Sequence, residues 1–235
     1  MKLTTLASCS LGLLVATTTS LAQGETKKAQ EPTTPKEAAV KTEPGTQLNF
    51  NVSGLTKDNI TKVKESLTTI TSQTYVCEPC HVEQAMAGKC PACQADLASK
   101  KRPVFQTVTP SAEDSSVKVT LDPATMVRLS ELERALAANS VKIDPAKFPI
   151  SGKAHLVFKG ATADQVPAIE KALKDAKLFD EVSVMHDAKM NEVHAVVRAG
   201  AMAPTRAKLA TALETGGVKT PVSDIIWGPM PKTTG

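Results

Sequence analysis

The sequence predicts an α+β fold of two tandem units, each running strand, helix, strand, strand, helix, strand, with a four-cysteine segment inserted in the first. Three observations predict it: an internal repeat, a switch between period-2 and period-3.6 hydrophobic spacing inside each copy, and the confinement of four of the five cysteines to residues 75–102.

The repeat aligns residues 52–67 with 158–173 without a gap, at an offset of 106. Gly54 then meets Gly160, Thr56 meets Thr162, Asp58 meets Asp164, and Ile60, Val63 and Leu67 meet Val166, Ile169 and Leu173. Residues 132–142 match 209–219 at an offset of 77. The two offsets differ by 29, and residues 75–102, 28 in number, account for all but one of that excess.

The elements follow in order. Residues 48–52 and 154–158 are strand-like, and each leads into a glycine turn. Ile60, Val63, Leu67 and Ile70 recur at helical spacing, as do Val166, Ile169 and Leu173. Thr56 and Thr162 occupy N-cap positions for these helices. Strand pairs are expected at 104–108 with 117–121, and at 182–185 with 193–197. A second helix in each copy carries Leu129, Leu132 and Leu136, or Leu209 and Leu213, with Pro204 in the first turn of the latter. Residues 141–143 and 222–227 close the units. This order of elements is ferredoxin-like.

The N-terminus supplies an address. Lys2, an apolar run centred on residues 11–16 and the small-x-small end Ser20-Leu21-Ala22 form a removable export signal over 1–22, so the mature chain is expected in a periplasm or outside the cell. Residues 23–46 are rich in Lys, Glu, Thr and Pro and read as a disordered linker, and 229–235 read as a flexible tail. The first unit is expected over 47–150, interrupted by 75–102, and the second over 151–228. No later stretch is long and apolar enough to span a bilayer.

Composition limits the function. Aromatic residues are 3% of the chain, too few for base-stacking platforms, and a net charge of +4 is too small for a nucleic-acid footprint. No Ser-His-Asp set, carboxylate pair or phosphate loop is present, so a non-enzymatic protein is expected. The sequons at Asn51 and Asn59 matter only in a eukaryotic secretory route.

The chemistry is concentrated in Cys77-Glu78-Pro79-Cys80-His81 and Cys90-Pro91-Ala92-Cys93. Two Cys-x-x-Cys knuckles can aim four thiolates at one tetrahedral ion, for which Zn²⁺ is the leading candidate and another soft heavy metal the alternative. Two other readings stay open. Cys77, Cys80 and His81 form the attachment motif of a c-type haem, with His81 as axial ligand, which would make the protein an electron carrier. In an oxidising compartment the cysteines can instead form two disulfides. Glu78 and Glu83 are the acid–base candidates near this site. Met185, His186, Met190 and His194 surround the expected hairpin of the second unit and suit copper, but alternation reads the histidines as solvated, and His155 as a sheet-face residue.

Both copies resemble the heavy-metal-associated domain, a ferredoxin-like module with a Cys-x-x-Cys loop between its first strand and first helix. Residues 54–60 and 160–166 stand in that place without either cysteine, so the resemblance implies the fold and not the loop's metal site. Residues 75–102 resemble the small heavy-metal-binding domain found beside metal-efflux proteins. Tyr75, Cys77, Gly88, Cys90, Pro91, Cys93 and Leu97 match its pattern, whereas Cys80 replaces a histidine and Gln94-Ala95 replaces Gly-Met. That resemblance implies ligands Cys77, Cys80, Cys90 and Cys93 and, as a partner, a metal-efflux or other envelope protein.

Overall fold

The computed structural model describes residues 46–84 and 87–229. The expected signal at 1–22, the linker up to residue 45 and the tail from 230 lie outside them. No helix among the described residues is long and apolar enough to cross a membrane.

The first half contains β1 (Gln47–Ser53), α1 (Ile60–Thr68), β2 (Thr71–Cys77), β3 (Val82–Gln84), β4 (Ala98–Pro103), β5 (Phe105–Ser111), β6 (Ser116–Leu121), β7 (Val127–Arg128), α2 (Leu129–Ala137) and β8 (Lys142–Ile143). The second contains β9 (Lys153–Lys159), α3 (Val166–Asp175), β10 (Glu181–Asp187), β11 (Glu192–Arg198), α4 (Arg206–Thr215) and β12 (Asp224–Trp227). The strands form three sheets among the described residues, ordered β5-β6-β1-β8, β10-β11-β9-β12-β7 and β3-β2-β4. Every pairing is antiparallel.

Alternation in the strands sets the core. Leu48, Phe50 and Val52 of β1 are buried while Gln47, Asn49, Asn51 and Ser53 face out, and Val193, Ala195 and Val197 do the same for β11. The helices press Val63 and Leu67, Leu129, Leu132 and Leu136, Ile169 and Leu173, and Leu209 and Leu213 onto those faces. Each such side chain contributes about 1.5–3 kcal/mol by leaving water.

The repeat is legible in backbone detail. The side chain of Asn59 accepts from Thr56 N–H at 2.8 Å, and Gln165, at the matching position, accepts from Thr162 N–H at 3.0 Å. Thr162 caps a 3₁₀ turn that leads into α3, whereas the residue before α1 is Asn59, so Thr56 is not the N-cap expected of it. Asn59 also donates to the Gly54 carbonyl at 2.8 Å, so its amide closes the turn ahead of α1 and makes no capping hydrogen bond to the helix itself. At the far ends, Ser140 (φ 59°) and Gly217 (φ 76°) share a left-handed turn. Val141 N–H then returns to Leu136 O at 3.1 Å, and Val218 N–H to Leu213 O at 2.9 Å. Pro204 lies one residue before the cap of α4, not in its first turn. Thr205 is the cap, its hydroxyl accepting from Lys208 N–H at 3.4 Å, and Pro204 O is taken by Ile150 N–H at 2.8 Å.

The halves share one core. Phe148, in the connection between them, lies 5.2 Å from Phe50 and 5.6 Å from Trp227, ring centre to ring centre, and Trp227 Nε1 donates to Ser151 O at 3.1 Å. β7 of the first half extends the sheet of the second by pairing with β12, and Asp224 accepts from both the backbone N–H and the hydroxyl of Ser130.

Candidate metal centre

The four-cysteine segment leaves the end of α1 and returns to β5 on neighbouring strands. Pairing begins at Thr71 with Pro103 and continues to Val76 with Ala98, so the arm starts four residues before the expected boundary at Tyr75. β4 reads Ala-Ser-Lys-Lys-Arg-Pro and is almost wholly exposed, which is why its strand character is hidden in the sequence. Arg102 fastens the arm. Its guanidinium pairs with Glu83 on β3 and stands 3.5 Å from Asp122 in the main body. Glu83 is therefore an ion-pair partner within the arm.

At the arm's end, β2 stops on Cys77, which pairs in register with Val82, and the intervening turn is closed by His81 N–H to Glu78 O at 3.3 Å. The second knuckle is closed by Gln94 N–H to Cys90 O and Cys90 N–H to Ala95 O, both 2.8 Å. In each knuckle the residue after the second cysteine takes a left-handed conformation, His81 at φ 51° and Gln94 at φ 62°. This geometry favours glycine, and neither copy has it.

The knuckles bring all four sulfurs together. The Sγ atoms of Cys77, Cys80, Cys90 and Cys93 lie within 4.8 Å of one another, and Cys77 and Cys93 are 3.6 Å apart. All four thiols are free. A tetrahedron of sulfurs about 2.3 Å from a central zinc has edges of about 3.8 Å, so the donor set and its spacing fit that ion. Cys77 and Cys90 are buried, Cys80 is half-buried and Cys93 is exposed. A haem on Cys77 and Cys80 would require those two sulfurs to part from Cys90 and Cys93. His81 is exposed and serves as the turn residue of its knuckle.

Proximity splits the thiol acidities. Burial opposes ionisation of Cys90, but backbone N–H groups of Cys93 and Ala92 and the neighbouring thiols outweigh it and hold the group at about 7. Contacts with the Cys93 and Cys77 thiols, reinforced by burial, push Cys80 up to about 12. A backbone hydrogen bond from Cys80 favours the Cys77 thiolate, yet burial and contacts with Cys93 and Cys90 leave Cys77 above the usual thiol range. Cys90 can thus carry a thiolate near neutral pH while Cys77 and Cys80 hold their protons.

The methionine–histidine hairpin is divided by its register. Met185 pairs with His194, whereas His186 pairs with Val193 and faces the other side of the sheet. The hairpin histidines expected in solvent are not fully there: the His194 side chain is 14% exposed and His186 is half-buried, while His155, on a face of β9 as expected, is 5% exposed. Burial, aided by Lys153 and His194, lowers His155 to about 4, so it is neutral at physiological pH.

No protein-family model and no curated protein matches this chain. Among solved structures it is similar to the water-soluble region of the P-type ATPase CopA from Bacillus subtilis, with 13% identity over 75% of this chain and 90% of that one and a TM-score of 0.28. So distant a likeness leaves the functional reading to the geometry of the cysteine cluster.

Proposed function

We propose that this chain is an exported, non-enzymatic heavy-metal-binding protein whose four-thiolate site, Cys77, Cys80, Cys90 and Cys93, takes Zn²⁺. Its role is metal homeostasis, or a zinc-stabilised contact with a metal-efflux or other envelope protein. The observation that carries the reading is the convergence of the four sulfurs within 4.8 Å. Zinc would supply the cross-link that an exposed, apolar-poor arm lacks, joining β2 and β3 to the second knuckle. Four sulfur ligands close the coordination sphere, which argues for binding and against hydrolysis. The exposure of Cys93 leaves one edge of the site reachable by a competing ligand or acceptor.

Around the arm, we read the chain as two ferredoxin-like units. In each main sheet the strands lie in the order second, third, first, fourth of the unit, which supports that reading. Residues 54–60 and 160–166 lack the thiolates of heavy-metal-associated loops, so the units act as the scaffold that presents the arm. X-ray absorption on the zinc-loaded protein tests the site: a shell of four sulfurs at about 2.3 Å is expected, and a mixed nitrogen–sulfur shell contradicts the ligand set.

A further inference from the structure

The second sheet is covered on both faces. Val157 and Ile226 are buried, yet they point away from the main core, toward the base of the cysteine arm. Between that arm and the sheet lies an open cavity of about 460 Å³. Its wall includes Met185, Met190, His194, His155 and Met126, with Gln73 of the arm opposite. Register explains the gathering. Met185 is paired with His194, and His155 is paired with Val196, which lies two residues along the same strand face from His194. The hairpin turn adds Met190, whose backbone N–H is held at 3.1 Å by the Asp187 carboxylate.

His194 carries the argument beyond shape. Both ring nitrogens are buried and neither has a hydrogen-bond partner; Glu192 Oε2 stands 3.5 Å from Nε2, too poorly placed to accept from it. A buried imidazole in that condition calls for a ligand on one of its nitrogens. The neighbouring donors include the Met185 and Met190 thioethers besides the Asp187 and Glu192 carboxylates, and it is thioether with imidazole that suits a soft monovalent ion.

We propose that this cleft is a second metal site, for a soft monovalent ion such as Cu(I) or Ag(I), held by the Met185 thioether and the His194 imidazole that the register pairs, with Met190 and His155 on the same cleft wall. It stands apart from the thiolate cluster and does not rest on it. Strand β2 nevertheless joins the two, since Gln73 on the cleft wall and Cys77 in the cluster are about 13 Å apart along the strand.

Ag(I), which needs no reductant, is the probe, and the mature chain carrying Cys77→Ser, Cys80→Ser, Cys90→Ser and Cys93→Ser isolates the cleft. With native far-UV dichroism and Trp227 fluorescence retained, this chain should keep one Ag(I) in a native mass spectrum, and adding Met185→Leu with His194→Gln should weaken binding at least tenfold. No Ag(I) on the folded chain, or equal binding by the doubly altered one, overturns the proposal. Should the serine chain not fold, the unaltered protein decides through its methionine-methyl NMR signals as Ag(I) is added beyond the thiolate site's capacity. Met185 and Met190 should then shift while Met202, 88% exposed and outside the cleft, stays put; no shift at Met185, or an equal shift at Met202, refutes the site.

Discussion

The sulfurs of Cys77 and Cys93, sixteen residues apart in sequence, lie 3.6 Å from each other. Each belongs to a different knuckle, so their contact means that the two Cys-x-x-Cys turns face one point. Everything proposed for the arm depends on that closure.

The left-handed backbone at Gln94 gives a first prediction. Gln94→Gly should relieve about 1 kcal/mol and tighten zinc about fivefold, whereas Gln94→Val, β-branched at φ 62°, should weaken it. Competition with a chromophoric chelator measures both, and a tighter Val variant would contradict the turn geometry.

Zinc affinity should depend steeply on pH, because thiols must lose their protons to bind. Between pH 7 and 9, Cys77 and Cys80 both remain protonated in the free protein, the latter at about 12. Each displaced proton makes the apparent affinity rise about tenfold per pH unit, so these two alone contribute about 100-fold. Below about 7, Cys90 is protonated as well, and the slope should steepen by about a further tenfold per unit. A pH series of competition titrations should therefore bend near 7, affinity falling faster on the acid side. A flat profile would contradict thiolate ligation.

His155 makes the fold itself sensitive to acid. Its folded value of about 4 lies below its ordinary 6.5, so the unfolded chain binds the proton more readily. The stability from keeping it neutral is full above 6.5 and is lost as pH falls toward 4. Denaturation midpoints of the metal-free protein should fall across this window, and His155→Leu should flatten the fall.

Phe148 joins the halves. Phe148→Ala should cost about 3–5 kcal/mol and lower both halves together, in one transition. Two separate transitions in calorimetry would show that the shared core does not couple them.

Much of this organisation is legible in the sequence because it is local or repeated. Gly54 and Gly160, Leu136 and Leu213, and the two Cys-x-x-Cys pairs each announce themselves by spacing. What stays hidden is set by contacts across the chain. Alternation along β11 places His194 opposite Val193, but it cannot tell that the arm's base and Met126 roof that face and shelter the imidazole. The charges of β4 disguise a strand whose hydrogen bonds come from β2. The two-residue β7 is defined by a partner about a hundred residues away.

The most direct test is a native mass spectrum of the mature protein from an exported fraction, followed by the denatured spectrum without reductant. One zinc-sized increment lost on denaturation is predicted, retained by His81→Ala and reduced about 100-fold in affinity by Cys90→Ser. A haem-sized increment that survives denaturation, or an unliganded mass four hydrogens light from two disulfides, would contradict the four-thiolate metal site.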